Sequence, residues 1–422
     1  MPGAAGPVEA HRVDADVPAA VGAELARLLH ERVARAAATD ELFARDVAAR
    51  VARFTLDGGK RMRSQFLWWG LRAGGGGRNA EETEAALRLA AGLELIQTCA
   101  LVHDDVMDGS PVRRGAAAVH ASLDAQYGVT GSAGGAEPFG RAAAILVGDL
   151  ALAWADDLVA DLDLPAAARR RIREQWREMR TEMVAGQYLD LHGQATGSRS
   201  PAQAVRTACL KSALYSVERP LALGAALAGA DEATTAALRS AGRCAGIAFQ
   251  LRDDLHGVFG DPRRTGKPVG EDVREGKHTY LMAIARARAG GVPGARDLLE
   301  RSVGDAGLDA EGLARVQAVL TETGARAVVE TKIDRLVAQS MRHLTAAAVE
   351  PAAARRLRAL LRAVAGAPAE SGGEAATAPE PAPADRTDPV DQLVTPDLRA
   401  REHTEPPEPV LLLCTTPEGD PR

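Results

Sequence analysis

Two clusters of aspartate residues are the part of this sequence best suited to do chemistry. The first contains Asp104, Asp105 and Asp108, the second contains Asp253 and Asp254, and each follows a strongly apolar stretch. On a helix, Asp104 and Asp108 lie on one face about one turn apart, and Asp105 lies to the side. Carboxylates at the end of a buried helix lose hydration and repel one another, so they stay ionised only where cations compensate them. Two such clusters facing one cavity would bind several hard divalent cations, and through them a diphosphate.

Lysine is rare in this chain, and its placement is informative. Of the 51 lysine and arginine residues, only five are lysine. Where lysine persists in an arginine-rich chain, a compact and flexible ammonium group is favoured over a planar guanidinium group. Four of the five lie in motif-like contexts, which favours an anionic ligand over chance placement. These four are Lys60, Lys211, Lys267 and Lys277.

Two further basic segments could bind phosphate oxygens. Residues 58–63 place two glycines before three cationic residues, so that backbone amides and side chains could surround a phosphate. The segment lacks the spacing of a P-loop, and the sequence has no dinucleotide-binding glycine signature in a βαβ context. Arg113 and Arg114 follow the first aspartate cluster, and guanidinium groups can bind a diphosphate through paired hydrogen bonds. An ordinary salt-bridged loop explains these two arginines equally well.

Composition excludes several classes of function. The apolar fraction of 46% is ample for a large core, and the net charge of −6 does not favour nucleic acid or an anionic membrane. Four cysteines without a CxxC pair argue against a disulfide scaffold and a thiolate zinc site. The sequence shows neither a basic and then apolar leader nor a continuously apolar stretch of about 20 residues. We therefore expect a cytoplasmic protein without stable membrane insertion.

Helical periodicity dominates the sequence and predicts an all-α fold of roughly ten or more helices. Alternating strand patterns are nearly absent. Residues 81–103 begin with acidic residues, which suits a helix N-terminus, and then become apolar nearly all round, which is typical of a central buried helix. Further helices are predicted over residues 141–160, 167–192, 201–229, 233–256, 278–289 and 325–365.

Three parts of the chain differ in composition. We expect a flexible N-terminal segment at 1–19, one all-α domain at 20–365 and a disordered tail at 366–422. The tail is rich in proline, alanine and glutamate, so it cannot bury a core. Its one apolar island, residues 410–414, is interpreted as part of the disordered tail rather than as a docking peptide. Residues 131–140 are glycine-rich and predict a loop between helices.

Taken in order over residues 20–365, the motifs resemble those of the trans-isoprenyl diphosphate synthases, the polyprenyl synthetase family. No single motif is decisive, but the ordered set is very specific. The resemblance implies a single large helical bundle around a deep central cavity, and a homodimer. The matching motifs are GGKRMR (58–63), ELIQ (94–97), LVHDDVMD (101–108), RRG (113–115), VGDL (147–150), KSALYS (211–216), RP (219–220), FQLRDDLHGVFGD (249–261), TGKPVGED (265–272) and EGKHTY (275–280).

The resemblance also implies a prenyltransferase that lengthens an allylic diphosphate with isopentenyl diphosphate. About three magnesium ions would lie between the aspartate clusters and draw the diphosphate off the allylic substrate. The double bond of isopentenyl diphosphate would attack the resulting carbocation, which needs a dry aliphatic pocket.

Each matching residue receives a role from the same resemblance. The aspartates together with Lys211 would form the catalytic set. Metal binding is implied for Asp104, Asp105, Asp108, Asp253 and Asp254; allylic diphosphate binding for Arg113, Lys211 and Lys267; isopentenyl diphosphate binding for Lys60, Arg63, Gln97 and Arg114; and support of the site for Gln250 and Lys277.

Two positions depart from the family pattern. Ser64 stands where the family usually has proline, and we expect only a minor change in loop stiffness. Gly257 stands where many members have a third aspartate in the second motif, although related sequences often have glycine there as well. Asp261, four residues further on, is a candidate substitute.

Small residues before the first aspartate cluster favour a longer product. Ala100 lies one helical turn before Asp104 on the same face, with Cys99 beside it. Bulky aromatic residues there stop family members at farnesyl diphosphate, so the resemblance favours geranylgeranyl diphosphate here. A farnesyl or a longer polyprenyl product stays open, and Trp68 or Trp69 could also form the floor of the pocket.

Two other functions fit part of the pattern. A class I terpene cyclase shares an all-α fold and one aspartate motif, but it should carry an Asn/Asp–Ser/Thr–Glu triad in place of the second cluster. It also binds only one diphosphate and has no need for residues 58–63. A non-catalytic subunit of a heteromeric synthase would typically lose the aspartate clusters, and this chain keeps both.

Overall fold

Helices make up nearly all of the structure, a computed structural model that describes residues 10–128, 139–197, 200–260 and 269–366. The predicted all-α class is therefore confirmed. Several predictions fall outside the described residues, namely those for Asp261 and Lys267, for the tail from residue 367 on, and for most of the glycine-rich loop, which the structure describes only from residue 139.

The first half of the chain carries the first aspartate cluster at the end of a long helix. Its helices are α1 (Ala10–Ala15), α2 (Val17–Thr39), α3 (Glu41–Phe43), α4 (Ala49–Leu56), α5 (Met62–Ala73), α6 (Ala80–Asp108), α7 (Val119–Tyr127), α8 (Phe139–Ala160) and α9 (Ala166–Thr196), with a π-helical segment at Ala44–Ala48. An antiparallel hairpin of β1 (Val112–Arg113) and β2 (Ala116–Ala117) follows α6 directly.

The second half carries the second aspartate cluster on its longest helix. Its helices are α10 (Pro201–Ala208), α11 (Arg219–Ala228), α12 (Glu232–Phe259), α13 (Glu271–Arg274), α14 (Tyr280–Arg288), α15 (Ala295–Ser302), α16 (Ala310–Glu322), α17 (Ala325–Ala346) and α18 (Pro351–Val364). The π-helical segment Cys209–Glu218 joins α10 to α11, and a 3-10 turn at Ala289–Gly291 follows α14.

Helix α6 is the central helix, as its apolar sequence predicts. Asn79 caps its N-terminus by accepting a hydrogen bond from the Glu82 N–H at 2.8 Å, and Gly109, at φ 66°, ends it in the left-handed conformation. Among the described helices it alone is long and apolar enough to cross a membrane, but 72% of its apolar window is buried inside the protein. Such burial is typical of a core helix, and α6 packs between α5 and α8.

Two hydrophobic clusters form the core of the described chain. The first joins α2, α5, α6, α8 and α11, and the second joins α10, the C-terminal half of α12, α14, α16 and α17. Because α6 belongs to the first cluster and the end of α12 to the second, the two aspartate motifs are supported by different parts of the core.

Residues 10–19 differ from the flexible segment expected at the N-terminus. They form α1 and the start of α2, in which Val13 and Val17 are almost fully buried. Asp14 accepts a hydrogen bond from the Trp68 indole N–H at 2.9 Å and pairs with Arg72 at 3.2 Å. The packed helical domain therefore includes residues 10–19.

Candidate active site

The first aspartate cluster lies among cationic side chains at the end of α6. Asp104 Oδ1 accepts hydrogen bonds from Lys211 Nζ at 3.0 Å and from Gln187 Nε2 at 3.2 Å. Arg113, on the hairpin after α6, donates to Asp104 Oδ2 at 3.2 Å and to Asp105 Oδ1 at 2.7 Å. The structure thus brings two of the aspartates together with two residues predicted to bind the allylic diphosphate.

Lys277 connects the first cluster to the segment that follows the second. Its Nζ lies 3.6 Å from Asp108 Oδ2, 3.4 Å from Asp272 Oδ1 and 2.7 Å from Glu275 Oε2. One ammonium group therefore contacts carboxylates from both halves of the chain. This ammonium group places the end of the first aspartate motif next to the segment that follows the second motif.

The second aspartate cluster has one buried and one exposed member. Asp254 is buried on α12 and accepts a hydrogen bond from the Gln250 side-chain amide at 3.0 Å, whereas Asp253 lies on the exposed side. Gly257 stands about one turn further on, and a Cβ added there would clash with the Asp272 carboxylate. Asp272 therefore fills the space in which a side chain at this glycine would lie.

Burial perturbs the pKa values of the aspartates to different extents. Burial raises the pKa of Asp108 to about 6, with a further contribution from Asp104, and raises the pKa of Asp254 to about 8. Asp190, on α9, is close enough to raise the pKa of both. The pKa of Asp104 lies below its ordinary value, because its burial is outweighed by attraction to Lys211. Both clusters thus contribute to one electrostatic field.

The oxygen donors of this region suit hard divalent cations. Oδ2 of Asp105 and Oδ1 of Asp108 are buried and lack a hydrogen-bond partner within the described residues. Such oxygens are costly to bury unless a cation compensates them. In the described ranges, no three acidic, histidine or cysteine side chains are arranged to hold a metal ion by themselves. Arg113, Lys211 and Lys277 lie against the carboxylates instead.

A second group of cationic residues, which α5 and the hairpin contribute, is connected to an earlier part of α6. The Arg63 guanidinium stacks 4.2 Å above the Tyr215 ring and donates to Ser216 Oγ at 2.9 Å. The Tyr215 hydroxyl donates a hydrogen bond to the side-chain oxygen of Gln97 on α6. Arg63 and Gln97, both predicted to bind isopentenyl diphosphate, are thus connected through one buried tyrosine.

Arg114 joins this group from the hairpin. Its backbone is left-handed, with φ 54°, and its guanidinium donates to the carbonyl oxygens of Phe54 at 3.2 Å and Asp57 at 3.4 Å. Both carbonyls lie within four residues of the segment 58–63, so Arg114 lies beside the glycine-rich basic segment. Its neighbour Arg113 contacts the aspartates, and the hairpin therefore connects the two groups.

Ser64 fastens the basic segment to α6. Its hydroxyl donates to Glu94 Oε1 at 2.7 Å, and Arg61 lies 3.6 Å from the other oxygen of the same carboxylate. All three side chains are buried, whereas Lys60, at the tip of the segment, is exposed. The expectation for Ser64 was only a minor change in loop stiffness. Its hydroxyl in fact takes part in a buried polar network that proline could not complete.

The structure separates two residues predicted to set product length. Ala100 is half-buried on the face of α6 that carries Asp104. Cys99 lies on another face, with Sγ 3.7 Å from His103 Nδ1, and His103 Nε2 lies 3.1 Å from the Ile145 carbonyl oxygen on α8. Cys99 is thus directed to α8 and is not brought together with the aspartates.

Trp68 and Trp69 also face away from the aspartates. Trp68 donates to Asp14 on α1, and the Trp69 ring lies 5.9 Å from the guanidinium of Arg356 on α18. These contacts place the two rings against the terminal helices and give no support to a pocket floor formed by them.

Some residues of the site were not among those predicted from the sequence. Gln187 contacts Asp104, and Asp190 accepts a hydrogen bond from Lys211 Nζ at 2.6 Å. Their three-residue spacing near the end of a long helix was a weak signal, since a solvated face shows the same pattern. Tyr215 and Asp272 are polar residues of the motifs at 211–216 and 265–272, and that position was the available signal for them.

Comparison with known proteins agrees with this geometry. Residues 46–317 match the family model for polyprenyl synthetase. The chain is 34% identical over 236 residues to the geranylfarnesyl diphosphate synthase of Aeropyrum pernix. The matched region covers 55% of this chain and 68% of the relative. It is 34% identical over 242 residues to the farnesyl diphosphate synthase of Geobacillus stearothermophilus, with coverage of 55% and 73%. A crystal structure of geranylgeranyl pyrophosphate synthase from Corynebacterium glutamicum, complexed with isoprenyl diphosphate and magnesium, superimposes with a TM-score of 0.74 and 39% identity, covering 81% of this chain and 98% of that one.

Proposed function

Because the chain belongs to the polyprenyl synthetase family and is thus a prenyl diphosphate synthase, we propose that it extends allylic diphosphates with isopentenyl diphosphate to geranylgeranyl diphosphate. The observation that carries this proposal is the presence of two separate cationic groups along α6. Lys211 and Arg113 lie against the aspartates at its end, and Arg63 is connected through Tyr215 to Gln97, about two turns earlier. A terpene cyclase binds one diphosphate and has no use for the second group.

Magnesium is the proposed cofactor, and when bound it would neutralise the charge that develops on the leaving diphosphate. The solved relative from Corynebacterium glutamicum is complexed with magnesium, which supports this choice. The buried oxygens of Asp105 and Asp108 that lack a partner are suitable ligands. The proposed ligand set is completed by Asp104, Asp253 and Asp254, and about three ions per site are proposed.

The residues of the chain itself bind and orient the two substrates. Lys211 and Arg113 hold several N–H donors next to the aspartates, where they can bind the allylic diphosphate together with metal-bound carboxylates. Lys267 is proposed for the same diphosphate and lies outside the described residues. Arg63 and Arg114, which belong to the second cationic group, bind isopentenyl diphosphate. Holding both substrates in this way places the double bond close to the allylic carbon before ionisation.

The chain length of the product rests on Ala100. The relatives are named for geranylfarnesyl, farnesyl and geranylgeranyl products, so their names do not select one. Ala100 is half-buried one turn below Asp104, and its small side chain leaves room there for a prenyl chain. This supports a product longer than farnesyl diphosphate.

A homodimer is part of the proposal. Helix α8 exposes the adjacent apolar side chains Ile145 and Leu146 at 45% and 57% of their area. Exposed large apolar neighbours of this kind are typical of a protein interface. Analytical ultracentrifugation of the wild type and of Leu146→Glu tests it, since a monomeric wild type at micromolar concentration would contradict the proposal.

One incubation series tests the activity. The purified protein is mixed with magnesium, isopentenyl diphosphate and, in turn, dimethylallyl, geranyl or farnesyl diphosphate, and the dephosphorylated products are separated by chromatography. Geranylgeraniol as the main alcohol from each primer supports the proposal. A hydrocarbon formed without isopentenyl diphosphate would indicate a terpene cyclase, and a folded protein without any product would indicate a non-catalytic subunit.

A further inference from the structure

Helices α6 and α9 run in the same direction, and side chains of α9 reach α6 at two levels. Near their middle, a Cβ added at Gly92 would lie 3.5 Å from the Trp176 ring. Near their C-terminal ends, Asp104 accepts a hydrogen bond from Gln187 at 3.2 Å. The two contacts are about three turns apart on each helix, so residues at equal distances below Asp104 and Gln187 lie at the same depth. Ala100 and Met183, each four residues earlier, are such a pair.

The neighbours of α9 define which of its residues face the interior of the bundle. One side contacts α8, because Trp176 and Arg180 both donate to Asp156. Another side contacts α11 and the adjoining π-helical segment, because Glu182 accepts from Arg219 at 2.7 Å and Gly186 lies against the backbone of the segment.

At about 100° per residue, the face between these two sides carries Met179, Met183 and Asp190. This face begins at the candidate active site, since Asp190 accepts a hydrogen bond from Lys211.

Met183 lies on the inner face of α9 at the depth of Ala100. Met179, one turn deeper, is fully buried, whereas Met183 is only half-buried while packing against the first hydrophobic cluster. Gly186 lies between Asp190 and Met183 and adds no side chain. Met183 is seven residues, or about 10 Å, below Asp190 along the helix. It is therefore the first large apolar side chain on this face below the diphosphate end.

We propose that Met183 determines product length, by closing the prenyl pocket on the α9 side opposite the small residue Ala100. The proposal rests on the proposed elongating function and adds the residue that ends elongation. A methionine side chain is unbranched and flexible, so it can change rotamer to admit a growing prenyl chain until that chain reaches a maximum length. Substitution by a smaller residue should close the pocket at a deeper level, and substitution by an aromatic residue should close it nearer the aspartates.

The test compares the products of Met183→Ala and Met183→Phe with those of the wild type under identical primer and magnesium concentrations. We expect the main product to become longer in Met183→Ala and shorter in Met183→Phe, by about one isoprene unit each, with the first condensation within roughly twofold of wild type because no diphosphate ligand is touched. Val184→Ala and Val184→Phe are matched controls, since Val184 is 64% exposed on the same helix. Their product should equal that of the wild type.

Unchanged products in folded Met183→Ala and Met183→Phe would overturn the proposal, as would equal shifts in the Val184 variants. If Met183→Phe fails to fold, the double variant Ala100→Phe/Met183→Ala decides, because it should make a longer product than Ala100→Phe alone. A wild type that elongates no primer overturns the proposed function itself, whereas an active wild type with a product insensitive to Met183 overturns only this inference.

Discussion

The burial of Asp254 leads to a stability prediction of definite sign. Only 6% of Asp254 is exposed, and burial raises its pKa from 3.8 to about 8. The folded protein therefore keeps this proton up to about pH 8, while the unfolded chain releases it near its ordinary value. Ionisation opposes folding in this window, so stability is lost as the pH rises from about 4 to 8. Each pKa unit corresponds to about 1.36 kcal/mol, which gives an upper limit of about 5–6 kcal/mol for the whole rise.

Asp254→Asn removes the ionisable group and keeps a side-chain oxygen that can accept the hydrogen bond from Gln250. Without divalent metal, we expect the stability of the variant relative to the wild type to increase steadily from pH 5 to pH 8.5, by no more than about 4 kcal/mol. Urea unfolding at fixed temperature across this pH range measures the difference. The control Asp161→Asn changes an exposed aspartate and should differ from wild type by less than about 0.5 kcal/mol at every pH.

A stability difference between Asp254→Asn and wild type that does not vary with pH would refute this assignment. Magnesium should act in the opposite direction, because a bound cation compensates the ionised carboxylate. At pH 8.5 it should stabilise the wild type more than the variant. At pH 7 its binding should release protons, which calorimetry in buffers of different ionisation enthalpy detects.

Loss of metal, of a diphosphate ligand or of pocket space should each give a distinct kinetic result. Excess chelator should abolish turnover and magnesium should restore it, and full turnover in chelator would contradict metal-assisted ionisation. Asp104→Ala should lower kcat by at least about a hundredfold, whereas the exposed control Asp161→Ala should not. Arg63→Ala should raise the Michaelis constant for isopentenyl diphosphate, and Lys211→Ala should lower kcat, since a lost charge-assisted contact costs about 2–5 kcal/mol. If both parameters stay within about twofold of wild type, these roles are wrong. Ala100→Phe should shorten the main product by about one isoprene unit, at an overpacking cost of about 1–3 kcal/mol that a melting curve measures; a folded variant with an unchanged product would place the floor elsewhere.

The aspartates and their cationic partners were predictable because the relevant signal is local. The four-residue spacing of Asp104 and Asp108 places both on one face of a helix, and the following hairpin returns Arg113 to them. Lys211 stood out because lysine is rare in this chain. Residue type and spacing were therefore sufficient to bring these side chains together in the prediction, as the structure does.

The contributions of α9 could not be predicted in the same way. Gln187 and Asp190 enter the site only because tertiary packing sets α9 beside α6, and no local pattern encodes that contact. Cys99 shows a related limit, since one residue along a helix is a rotation of about 100°, which directs it to α8 and not to the pocket. Val13 and Val17 likewise find their apolar neighbours only in the folded bundle, so their segment was expected to be flexible.

Helix α6 carries groups from both proposed substrate regions on one rigid body. Glu94 fastens the basic segment, Gln97 contacts Tyr215, and Asp104 follows ten residues after Glu94, about 15 Å along the axis. The relative position of the two proposed substrate sites is thus set by the register of a single helix rather than by loop conformation. Inserting one residue between Gln97 and Asp104 would rotate one region by about 100° and shift it about 1.5 Å relative to the other. Each region would keep all its contact residues and bind its own ligand, yet the two ligands would no longer be aligned to react.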